Sequence, residues 1–140
     1  ERYNNLNVLT NGLYTALELM KIDSVNVHLL GGNLNKILLD TKGTDTMSQI
    51  GMHHSDIAFI SCRGITARGS FDPNDDETAV KRAFAENSTK VVLFADSSKF
   101  NKTFLNVSLG YDLIDAIISD APFPEDIQEV CRNKNVEMLW

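Results

Sequence analysis

The chain has 140 residues, 43% of them hydrophobic, and a formal net charge of −6. This length fits one domain with an ordinary core, and the acidic balance argues against the segment gripping a phosphate backbone by its own charge. Cys62 and Cys131 are the only cysteines, too few for a disulfide framework. No apolar run approaches the roughly 20 residues a membrane helix requires, and no signal peptide is seen, so a cytoplasmic protein is expected.

In chain order, Leu6 to Thr10 reads as a strand and Leu13 to Met20 as a helix with Leu13, Leu17 and Met20 on one side. Val25 to Leu30 is the next strand, closed by Gly31-Gly32, and Ile37 to Leu39 reads as a short extra strand. Asp45 to Met52 is helical, and Ile57 to Ser61 is a strand followed by Cys62-Arg63-Gly64. Asp72-Pro73-Asn74-Asp75-Asp76-Glu77 is a helix entry, with acids in the first turn complementing the helix dipole, and the helix runs to about Asn87. The apolar run at Val91 to Ala95 reads as a strand buried on both faces. A short strand or turn follows at Phe104 to Ser108, then a strand at Ala116 to Ser119, a helix from near Pro124 and a last strand at Glu137 to Leu139. Such alternation predicts an α/β fold with a mainly parallel sheet flanked by helices, in one domain spanning residues 1–140.

The ends of these strands are small and polar: Thr10-Asn11-Gly12, Gly31-Gly32-Asn33, Cys62-Arg63-Gly64, Asp96-Ser97-Ser98-Lys99 and Ser119-Asp120. In open α/β sheets ligands bind outside the carboxyl ends of the strands, so these turns are expected to form a binding rim. Glu77 and Lys81, spaced i,i+4, lie at the edge of the apolar stripe Ala79, Val80, Ala83 and Phe84. They read either as placed charges beside a cleft or as a surface helix ion pair. Lys99 offers a cation from another strand end. His53-His54 fits no zinc spacing, and no Gly-x-Gly-x-x-Gly or Walker loop is present. Neither metal nor cofactor is expected, and Cys62 reads as a small core or rim residue rather than a nucleophile.

Six pieces in order carry a resemblance: Leu9-Thr10-Asn11; Leu30-Gly31-Gly32-Asn33-Leu34; the run Asp56 to Ile65; Glu77-x-x-x-Lys81-Arg82-Ala83; Asp96-Ser97-Ser98-Lys99-Phe100; and Asp115 to Asp120. Together they resemble the C-terminal sensor domain of DeoR-family bacterial transcriptional repressors. The resemblance implies a fold similar to the ribose-5-phosphate isomerase, glucosamine-phosphate deaminase and coenzyme A transferase group. It implies a non-catalytic module that binds a phosphorylated sugar or related metabolite and controls operator binding. It also implies a winged helix-turn-helix, a first strand and a Gly-Thr-Thr-like phosphate loop, all expected outside this sequence, and homo-oligomers. The family's effector positions carry over onto Thr10, Asn11, Gly31, Gly32, Arg63, Gly64, Asp75, Glu77, Lys81, Asp96 and Lys99. The alternative is an isomerase- or deaminase-type enzyme, with a carboxylate such as Glu77 moving a proton beside a sugar carbonyl.

Overall fold

The computed structural model describes residues 5–140, which divide into two compact units, 5–52 and 53–140. In the first unit, β1 (Leu6–Thr10) and β2 (Val25–Leu29) pair in parallel, joined through α1 (Leu13–Leu19). A short antiparallel hairpin of β3 (Asn33–Asn35) and β4 (Asp40–Lys42) leads into α2 (Thr44–Gly51). The fully turned face of α1 is Ala16, whereas Leu17 and Met20 stay exposed, so the expected stripe is not the buried one.

The extra strand expected at Ile37 to Leu39 is instead the turn of this hairpin. Asn35 Oδ1 accepts hydrogen bonds from the backbone N–H groups of Ile37 and Leu38 at 3.1 and 3.3 Å, and Leu39 has a φ of 53°. A side-chain amide that bonds its own following backbone competes with the ladder, so an apolar triplet is bent into a turn.

The second unit is built on β5 (Ser55–Ser61), β8 (Ser88–Phe94), β10 (Ala116–Ile118) and β11 (Glu137–Leu139), which form a parallel sheet in the order β11-β10-β8-β5. The mainly parallel α/β architecture expected from the alternation is present. Its crossovers include α3 (Asp75–Glu86) and α4 (Glu125–Lys134). A second, antiparallel sheet is made by β6 (Gly64–Thr66), β7 (Gly69–Asp72) and β9 (Asn106–Leu109). The hairpin β6–β7 went unread because its strands are short and carry two glycines and two hydroxyl residues in place of an apolar run. Gly69 turns it at a φ of 139°, and an added Cβ there would stand 2.4 Å from the Leu109 carbonyl oxygen.

The core of this unit gathers Ala58 and Ile60 of β5, Val91 and Leu93 of β8, Ile117 of β10, Ala85 of α3, and Ile127 and Cys131 of α4. Both helices therefore pack on the same face of the sheet. The other face is not buried as the Val91 run suggested: Phe59 is 66% exposed and Phe94 42%, their rings 5.9 Å apart. A continuous apolar run does not say which face is covered, because alternate side chains point to opposite sides of a strand. Among the described residues no helix is long and apolar enough to cross a membrane.

Candidate functional site

Because β5, β8, β10 and β11 run in parallel, the turns that follow them share one edge of the sheet. Asp96 and Asp120 organise it. Asp120 Oδ1 accepts from the backbone N–H of Ser97 at 2.6 Å, and Asp96 Oδ1 accepts from the N–H of Ser98 at 2.9 Å. Hydrogen bonding to Ser98 holds the Asp96 carboxyl below the ordinary carboxylate range, and the Ser97 N–H does the same for Asp120. These bonds stabilise a single 3-10 turn at Ser97–Lys99, and Lys99 Nζ lies 4.0 Å from Asp96 Oδ2.

Gly64 brings that turn close to β6. The N–H of Asn101 donates to the Ile65 carbonyl at 2.9 Å, and an added Cβ at Gly64 would stand 2.2 Å from the carbonyl oxygen of Lys102. Only a residue without a Cβ lets the chain after Lys99 approach this strand. Arg63, beside it, is exposed and donates its backbone N–H to the Phe71 carbonyl at 3.0 Å. Phe100, Phe123 and Trp140 add an aromatic row, with ring centroids 5.2 and 6.2 Å apart.

Behind the rim is the most buried charge of this unit. Asp72, wholly buried at the end of β7, accepts from Lys81 Nζ at 2.6 Å and from Ser108 Oγ at 2.5 Å. Lys81 therefore pairs with Asp72 rather than forming the i,i+4 pair with Glu77 that the spacing allowed. Glu77 Oε1 instead accepts from Asn74 Nδ2 at 3.0 Å, and Asp75 is exposed in the first turn of α3. Asp72, Lys81, Lys99 and Asp96 all lie within electrostatic reach of Cys62, at the end of β5. Burial, reinforced by the charge of Asp72, pushes the Cys62 thiol up to about 12. At neutral pH it is protonated, which makes it a poor nucleophile.

In the first unit, Thr10, Asn11, Gly31 and Gly32 stand at the adjoining carboxyl ends of β1 and β2. Their polar groups are engaged locally. Asn11 Nδ2 donates to the Thr41 carbonyl at 2.9 Å, Thr10 Oγ1 accepts from Gly12 N–H at 3.1 Å, and Gln49 Oε1 accepts from Gly31 N–H at 3.0 Å. Gly32, at a φ of 141°, leaves no room for a Cβ against Thr46 Oγ1, 2.1 Å away.

The sequence-derived candidates thus fall into separate groups: Arg63, Gly64, Asp96 and Lys99 on one rim, Lys81 behind it, Glu77 and Asp75 at the start of α3, and the remainder in the first unit. Asp120 falls on the expected rim at Ser119-Asp120, whereas Asp72 and Ser108 are side chains of the candidate site that the sequence does not single out. In the sequence Asp72 reads only as part of a helix entry, and nothing local marks its pairing with Lys81 nine residues on.

Comparison with known proteins places the chain. The family described as DeoR C terminal sensor domain matches residues 1–121, and the chain belongs to that family. It is 31% identical over 138 residues to the glycerol-3-phosphate regulon repressor of Escherichia coli (strain K12), covering 97% of this chain and 54% of that protein. It is 28% identical over 139 residues to the putative aga operon transcriptional repressor of Escherichia coli O157:H7, covering 99% of this chain and 52% of that protein. With the HTH-type transcriptional repressor GlcR of Bacillus subtilis (strain 168) it shares 26% identity, over 94% of this chain and 51% of that protein. The chain spans about half the length of the curated relatives it matches.

Proposed function

We propose that this domain senses a phosphorylated sugar or related metabolite and, within a longer repressor, passes the binding event to a winged helix-turn-helix that contacts operator DNA. The single observation that carries the reading is the rim of the second unit. There Lys99 offers a cation to a phosphate, and ordered carboxylates and serine hydroxyls stand ready for sugar hydroxyls, at the sheet edge where α/β folds bind ligands. That a glycerol-3-phosphate regulon repressor stands among the relatives supports both the effector class and the regulatory role.

The module is proposed to bind rather than catalyse. A thiol pushed up to about 12 by burial supports that reading, as does the Asp72 carboxylate, both of whose oxygens are committed to Lys81 and Ser108. Thr10, Asn11, Gly31 and Gly32 remain candidates within the first unit, and Asn11→Ala tests them. A soluble cytoplasmic repressor acting as a symmetric oligomer completes the reading.

Thermal denaturation in the presence of glycerol 3-phosphate and a series of hexose and pentose phosphates tests the proposal. A ligand at 100 times its dissociation constant stabilises the native state by about 2.7 kcal/mol, which shifts the melting temperature by several degrees. The expected result is stabilisation by at least one phosphorylated compound with no turnover of it. Turnover would instead favour the isomerase or deaminase alternative, and no shift with any of them would refute effector sensing by this domain.

A further inference from the structure

Strands β7 and β9 and helix α3 meet at one carboxylate. Asp72 is 0% exposed and both of its oxygens are used, Oδ1 by Lys81 Nζ and Oδ2 by Ser108 Oγ, which itself stands 3.4 Å from Thr78 Oγ1. The Lys81 side chain is 19% exposed, and its ammonium is held against this buried anion. Lys99 differs, with its carboxylate neighbour 4.0 Å away and itself 52% exposed. Near Cys62, two lysines are thus balanced by two carboxylates, but only the Lys81 pair is tight and buried.

A buried ion pair is a weak source of stability, because well-packed apolar side chains of similar volume hold elements together at least as well. What apolar residues cannot supply is a fixed charge. We propose that Asp72 is a positioning residue that sets specificity: it occupies the anion position on Lys81, leaves Lys99 to meet an anionic ligand, and so restricts the rim to ligands with one phosphate. The inference rests on the sugar-phosphate reading and deepens it. A second phosphate would find Lys81 already neutralised and would face the charges of Asp72 and Asp96.

The test uses the full chain with glycerol 3-phosphate, fructose 1,6-bisphosphate and inorganic phosphate as probes. Affinities come from calorimetry, and acylation of individual lysines from peptide mass spectrometry. Asp72→Asn keeps the shape and removes the charge. Affinity for the bisphosphate is expected to rise tenfold or more, with inorganic phosphate now shielding Lys81 from acylation, whereas Asp72→Glu restores the parental preference. Unchanged relative affinities within twofold, together with no shielding of Lys81, would overturn the proposal and leave Asp72 as a tie between three elements.

Should Asp72→Asn fail to fold, Asp72→Ser removes the charge in a smaller side chain. Its affinity for the bisphosphate relative to glycerol 3-phosphate is expected to rise tenfold or more, and an unchanged ratio would overturn the proposal. The two readings separate cleanly. If the parent responds to none of the phosphorylated compounds in the thermal series while Asp72→Asn binds phosphate and shields Lys81, the positioning role stands and the sugar-phosphate function falls. If the parent binds glycerol 3-phosphate and Asp72→Asn leaves the preference unchanged, the function stands and the positioning role falls.

Discussion

Lys99 and Lys81 look alike in sequence, and what sits against each makes them different. Lys99 has only a distant, exposed carboxylate beside it, so Lys99→Ala is expected to leave the melting temperature within a degree or two. A charge-assisted contact contributes about 1.5 to 3 kcal/mol, so the same variant should weaken binding of a phosphorylated effector about ten- to a hundredfold by calorimetry. Lys81→Ala strands Asp72 without its cation in a buried setting. Breaking a buried pair from one side costs about 3 kcal/mol or more, so urea denaturation should show the loss directly. Cys62 adds a pH dependence. Its thiol titrates near 12 in the native state against an ordinary value of 9.0. The unfolded chain therefore loses that proton first, and its contribution to stability is complete below about pH 9 and lost progressively as pH rises toward 12. Urea midpoints measured at pH 8 and pH 10 should fall, and Cys62→Ala should flatten part of the slope. Tyr111 and Cys131, also pushed up by burial, keep the rest.

At the scale of elements, the long strands and helices were readable because their period and caps are local. The entry to α3 shows this: Asp75, Asp76 and Glu77 occupy its first turn as the acid cluster implied. The hairpin β6–β7 was not readable, since three- and four-residue strands have too few side chains to display a period. Yet this hairpin brings Arg63-Gly64, at the start of β6, beside Asp72, at the end of β7, so much of the candidate site depends on it. Gly64→Ala tests its placement. The new methyl would meet the backbone of Lys102, which cannot rotate away. Overpacking of this kind costs about 1 to 3 kcal/mol, and the variant should lose both denaturant resistance and effector affinity, because the Lys99 turn must retreat.

At the scale of the whole molecule, the net charge of −6 opposes contact with a polyanion. The 140-residue chain is expected to bind operator duplex no more tightly than random duplex at physiological salt, as checked by fluorescence anisotropy. Submicromolar sequence-specific binding would assign DNA recognition to this domain itself. The exposed face bearing Phe59 and Phe94, and the half-exposed carboxyl end at Leu139 and Trp140, are large apolar surfaces for a free domain. Sedimentation of the chain is expected to show a dimer or larger species.

The sequence by itself determined the α/β class, most element positions and the polar strand ends, because apolar period, helix-entry acids and glycine turns act over a few residues. Six short motifs in order also pointed to the family that comparison then showed. Only the tertiary structure decided that Lys81 answers to Asp72 rather than to Glu77, that Asp120 orders the Ser97 turn, and that one face of the β8 strand stays open. Those outcomes depend on which strands become neighbours. Long-range strand pairing joins segments tens of residues apart, Asp120 with Ser97 at the edge of the parallel sheet and Ser108 with Asp72 in the antiparallel one, and no local pattern encodes the partner across such a separation.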